Sequence, residues 1–108
     1  MTGDLTNRVT IDQPILVASV NGWRSTTIQG AWDPVSTNGP LAVRCVWMTN
    51  GAVLSGFTIQ NGATLGNQIS SESRYSGGGV WCSSISAAVS DCILTNNSAN
   101  AYGGGAAY

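Results

Sequence analysis

Apolar and polar positions alternate in short runs along the chain, as at Val9 and Ile11, Phe57 and Ile59, and Cys92 and Leu94. A period of two is strand spacing, because successive side chains of a strand point to opposite faces. No window carries a sustained stripe at helical spacing, and β-branched residues are frequent throughout. The pattern predicts an all-β chain built from many short strands.

The runs also recur. Leu54, Ser55, Phe57, Ile59 and Asn61 set the pattern that Val89, Ser90, Cys92, Leu94 and Asn96 repeat, with Phe57 and Cys92 lying 35 positions apart. Upstream, Thr26-Thr27-Ile28-Gln29-Gly30-Ala31 falls on residues 57–63 with one residue missing, and Ile28 precedes Ile59 by 31. Val46-Trp47 matches Val80-Trp81 at a spacing of 34, and Tyr75-Ser76-Gly77-Gly78-Gly79 returns, shortened, as Tyr102-Gly103-Gly104-Gly105. Between the matched blocks, residues 32–41 and 64–76 are rich in Ser, Asn, Gly and Pro and read as loops. Removing about a dozen loop residues per period leaves a unit in the low twenties, a solenoid repeat. The rival is a sandwich of hairpins turning at Asn21-Gly22, Asn38-Gly39, Asn50-Gly51 and Asn61-Gly62. Two of these pairs lie inside the repeat, so all four are read as left-handed or tight corners of a solenoid. The expectation is a single domain over residues 1–108, a parallel β-helix of about three coils with inserted loops at about 32–41 and 64–76.

Composition narrows the function. Charged residues are 8% of the 108 residues, against about 25% in an ordinary soluble domain. All four cations are arginines, and histidine is absent. A net charge of −1 without a basic cluster gives no footprint for nucleic acid or an anionic membrane. No apolar run approaches the roughly 18 residues of a membrane span. Without histidine there is no Ser-His or Cys-His nucleophile pair and no imidazole metal ligand. Cys45, Cys82 and Cys92 form no C-x-x-C pattern, so neither a zinc site nor a redox motif is indicated, and nothing points to a cofactor. The opening residues Met1-Thr2-Gly3-Asp4 carry no positive segment and no apolar stretch, so no secretory signal is read there.

The run Gly77-Gly78-Gly79-Val80-Trp81-Cys82, then residues 89–99, then Tyr102-Gly103-Gly104-Gly105, resembles bacterial right-handed parallel β-helix repeats. Such repeats occur in polymorphic-outer-membrane-protein-like, pectate-lyase-like surface proteins. The likeness covers residues 9–108 and is most specific over 46–108. It implies right-handed winding, strands stacked in ladders, and an extracellular or cell-surface location. On that pattern Ile28, Val46, Leu54, Phe57, Ile59, Val80, Val89, Cys92 and Leu94 face the core.

Several residues are candidates for function. Trp47 and Trp81 align beside inward valines and should face outward as an aromatic ladder suited to sugar rings, unless the 64–76 loop folds over them. Tyr75 and the loop acids Asp33 and Glu72 are further binding candidates, while Trp23 and Trp32 read as packing residues that anchor the first loop. Carbohydrate-processing β-helices use clustered carboxylates, but here no two acids share a column, so no catalytic or metal-binding residue is assigned. Asp91 falls at the place of Gly56, one coil away. Arg44 and Arg74 are expected to pair with loop acids, and the glycine triplets to be corners rather than phosphate loops. Parity puts Cys45 and Cys82 on opposite faces, and Cys92 should be a buried thiol. Asn96-Asn97-Ser98 fits a glycosylation sequon but reads better as an asparagine corner. Thr27 and Thr58 align, yet Ile93 breaks any threonine ladder of the ice-binding kind.

A short stack leaves backbone edges unpaired, which favours association. Ala106, Ala107 and Tyr108, with Tyr102, would form a two-fold contact between copies, unless the chain is a fragment whose next coil is missing. The function read from the sequence is therefore a non-enzymatic, self-associating scaffold or recognition module. The alternative is a carbohydrate-binding or carbohydrate-processing module with polysaccharide as partner.

Overall fold

A computed structural model describes residues 5–66, 75–83, 86–100 and 103–107. Ten short strands wind in succession. The first winding holds β1 (Thr6–Ile11), β2 (Leu16–Ala18) and β3 (Thr27–Gln29). The second holds β4 (Val43–Met48), β5 (Val53–Ser55) and β6 (Thr58–Gln60), and the third β7 (Val80–Cys82), β8 (Ala88–Ser90) and β9 (Ile93–Thr95). β10 (Ala106–Ala107) opens a fourth. Each strand pairs in parallel with its counterpart one winding away. Three sheets result: β1-β4-β7-β10, β2-β5-β8 and β3-β6-β9. This is a short parallel β-helix, and none of its sheets closes on itself.

Register puts like over like. Val9, Val46, Val80 and Ala106 form one column, Val17, Leu54 and Val89 a second, and Ile28, Ile59 and Leu94 a third. The columns meet inside, where Val46, Leu54 and Ile59 of the second winding are fully buried. Burying each such side chain stabilises the fold by about 1.5–3 kcal/mol. Val9 and Val17 on one side, and Val89, Cys92 and Leu94 on the other, are only partly buried against this cluster. Cys92 is thus a half-buried thiol rather than a buried one, since it lies in an outer winding. Ile11, Met48, Ala52, Phe57 and Cys45 complete the core.

Corners need left-handed backbone, and the sequence supplies residues that accept it. Gly56 (φ 85°) joins β5 to β6, and Asp91 (φ 50°) stands at the same place between β8 and β9. Asn61 (φ 59°) and Asn96 (φ 55°) likewise leave β6 and β9. Asn and Asp tolerate this region better than other side chains because they hydrogen-bond locally. Gly22 and Gly51 are left-handed too, whereas in the pair Asn38-Gly39 neither residue is; Thr37 (φ 67°) makes that bend instead. Gly77 and Gly103 open the two glycine triplets with φ of 67° and 61°. The triplets are corners, as expected.

Parity alone does not tell which side chains of β4 are buried. Cys45 and Val46 are consecutive and both fully buried, while β4 keeps an unbroken register with β1 on either side of them, so burial reaches both faces of the strand. Cys82, in register with Met48, packs against the same core. All three cysteines are free.

Candidate functional site

The outer face of the third sheet carries the polar half of its alternation. Ile28 and Ile59 point inward, which turns Thr27 and Thr58, and Gln29 and Gln60, to the other side. The two glutamines are in register, and Gln60 Nε2 donates to Gln29 Oε1 at 3.3 Å. Ile93 and Thr95 continue the two columns in β9.

Two tryptophans bound this face along the chain. Trp23 precedes β3 and is 37% exposed, with the Arg24 guanidinium carbon 5.2 Å from its ring centroid. Its carbonyl accepts a 2.7 Å hydrogen bond from Thr58 Oγ1, which fixes the backbone there to the second winding. Trp32 follows β3 and is 46% exposed. Its Nε1–H donates to Asn96 O at 3.0 Å, so the indole is pinned to a corner of the third winding while much of its surface meets solvent. Beside it lies an open groove of about 320 Å³ lined by Gln29, Gly30, Ala31, Trp32 and Asn61. An aromatic wall next to side-chain carboxamides can hold a flat, hydroxyl-bearing ligand without any charge. Trp23 and Trp32 are thus exposed surface residues, which corrects their reading as packing anchors.

Trp47 and Trp81 do stand in one column, between Thr10 and Ala107, but both are half-buried. The large exposed aromatic surface among the described residues belongs to Trp23 and Trp32. Tyr75 is only 9% exposed and does not offer its ring to solvent as a binding platform. Ala106 is exposed in β10, and Ala107 is in register with Trp81. Glu72, Arg74, Tyr102 and Tyr108 lie outside the described residues.

Asp33 is 5% exposed and engaged by its own loop. Oδ1 accepts from the N–H groups of Val35 (2.9 Å) and Ser36 (3.2 Å), and Oδ2 from Leu41 N–H (3.0 Å). The Leu41 and Val35 bonds hold its carboxyl below the usual 3.8, outweighing the opposing effect of burial. A carboxylate so occupied shapes a loop; it is not poised as an acid, a base or a ligand. The two inserted loops do converge, but through neutral groups. Asn38 Oδ1 accepts from Thr64 N–H at 3.2 Å, and Asn38 Nδ2 donates to Ser98 Oγ at 2.9 Å. The buried Thr64 hydroxyl accepts from Asn100 N–H at 3.0 Å, with Asn38 Oδ1, Leu65 O and Tyr75 O in reach of its single proton.

Arg44 is buried and donates to Gly77 O and Ser76 O at 2.9 Å and to Asn7 Oδ1 at 3.0 Å. Burial pulls its pKa down to about 10, which leaves it a cation at neutral pH. Burial also pushes the Cys45 thiol up to about 11, which keeps it protonated at neutral pH. Among the described residues no group of three or more Cys, Asp or Glu could hold a metal ion, and no helix is long and apolar enough to cross a membrane.

The repeated Thr-Ile-Gln at 27–29 and 58–60 was the signal in the sequence for a stacked carboxamide face. The exposure of the flanking tryptophans had none, because loop burial depends on contacts between distant corners. No family model, curated protein or solved structure matches the chain.

Proposed function

We propose that this chain is a non-enzymatic recognition module whose β-helix presents the groove beside Trp32 to a neutral polysaccharide. The observation that carries the reading is the exposed Trp32 indole, held at the Asn96 carbonyl next to Gln29 and Asn61. Sugar rings offer C–H faces that stack on indole and hydroxyls that pair with carboxamides. The side chains lining the groove carry no charge, which favours a neutral chain over an acidic one. The rigid stack contributes by holding these groups at the end of β3 and at the corners that follow β3 and β6.

Titration with a soluble neutral glucan, followed by tryptophan fluorescence, tests the reading. A saturable shift that Trp32→Ala abolishes and Trp47→Phe preserves is the expected result. A folded chain whose fluorescence does not respond to neutral glucans overturns it.

Self-association is a second reading. Among the described residues β8 and β9 have no strand on their far side, and Val89, Cys92 and Leu94 remain partly exposed next to the exposed Ile93. A second copy stacked there would cover apolar area and pair backbone groups. Light scattering at micromolar concentration should then give a multiple of 11.1 kDa, and a folded monomer would remove this reading.

A further inference from the structure

We infer that Asn50-Gly51 is a built site of spontaneous deamidation, in which the Ser86 hydroxyl relays the proton between the two reacting groups. Asn-Gly pairs are prone to attack of the glycine nitrogen on the asparagine Cγ, because glycine presents no side chain to hinder the approach. The chain has four such pairs, and their surroundings differ.

At Asn50-Gly51 the two reacting groups meet one hydroxyl. Gly51 N–H donates to Ser86 Oγ at 3.0 Å, and Ser86 Oγ donates to Asn50 Oδ1. The nucleophile's proton and the carbonyl oxygen that must receive one are thus joined through a single side chain. Asn50, Gly51 and Ser86 are all exposed, so water reaches the site.

Asn21-Gly22 is the informative contrast. Gly22 N–H also donates to a serine, Ser19 Oγ, at 3.1 Å, but the Ser19 proton goes to Gly56 O and not to Asn21. That relay is open. Asn38 has both ends of its carboxamide engaged with Thr64 and Ser98, and Gly39 is buried. In Asn61-Gly62 the glycine is buried, and its N–H is held by Asn97 Oδ1 at 2.8 Å.

The step balances as follows. Gly51 N forms a bond to Asn50 Cγ while its proton passes to Ser86 Oγ and the Ser86 proton passes to Asn50 Oδ1. The tetrahedral carbon regains its carbonyl and expels the side-chain nitrogen, with a proton, as ammonia. Water then opens the resulting succinimide and leaves aspartate or isoaspartate at position 50, with one added negative charge. Isoaspartate lengthens the backbone by one carbon at the corner between β4 and β5, where Gly51 has φ 79°.

Peptide mapping by mass spectrometry during prolonged incubation of the folded chain at neutral pH tests this. Asn50 should convert roughly tenfold faster than Asn21, within what positioned proton transfer supplies. Ser86→Ala should bring Asn50 down to the rate of Asn21, and Ser86→Thr, which keeps the hydroxyl, should retain the faster rate. In urea the two sites should become alike, since only the fold distinguishes them. An Asn50 that converts no faster than Asn21 in the folded chain, or a rate that Ser86→Ala leaves unchanged or raises, overturns the inference.

Discussion

Asn97 of the third winding grips the backbone of the second: its Oδ1 accepts Gly62 N–H at 2.8 Å, and its Nδ2 donates to Ile59 O at 3.0 Å. One carboxamide therefore satisfies a donor and an acceptor at a corner where glycine is obligatory, since a Cβ on Gly62 would lie 2.1 Å from Gly78 O. Asn97→Ala leaves both backbone groups without this partner. The expected loss is about 1–3 kcal/mol, read as a lower urea midpoint with an unchanged slope.

Asp33 makes the first loop sensitive to acid. Its folded pKa lies below the unfolded value, so its contribution is present above about pH 3.8 and fades as pH falls through the lower folded value. Asp33→Asn turns one acceptor into a donor facing either Leu41 N–H or the Val35 and Ser36 N–H groups. The variant should melt below the parent at neutral pH, and the gap should narrow in acid. Thermal melts of both chains across the acid range check this.

Cys45 gives the opposite sign at the alkaline end. Its folded pKa, about 11, exceeds the ordinary 9.0, so the stability it contributes is complete below pH 9 and declines as pH rises toward 11. A thiol reagent applied to the native chain should leave Cys45 unmodified and label it only on unfolding. Mass mapping of the labelled peptides decides the outcome.

The corner at Gly56 is coupled to its neighbour one winding away. A Cβ there would meet Ser19 Oγ at 2.5 Å, in a backbone with φ 85°. Gly56→Ala should destabilise by roughly 1–3 kcal/mol, from left-handed strain and the contact together. Adding Ser19→Gly should recover the contact's share and not the strain. A double-mutant cycle by urea unfolding measures the coupling.

How much of this was legible follows from what repetition carries. Ile28 over Ile59, Phe57 beside Cys92 and Val46 beside Val80 were readable because stacked strands demand similar side chains at fixed spacing. Asp91 over Gly56 was readable for the same reason. The burial of Cys45 beside Val46 was hidden, because parity assigns faces and does not show when both faces of a strand are covered. The exposure of Trp32 was hidden too, since its placement comes from Asn96, 64 positions away. Local pattern reveals ladders; it does not reveal which loop lies over which column.

The long connections between windings, residues 30–42, 61–79 and 96–105, all run from the third sheet to the first, while the step from the first sheet to the second stays at four or five residues. The step from the second sheet to the third takes eight, two and two residues, so length varies most along one vertical edge of the prism. Insertions along that edge can lengthen, shorten or exchange sequence without shifting the register of a single ladder. The architecture thus separates what must stay constant from what is free to diversify, and new binding preferences can arise on one crest while the wound body beneath remains the same.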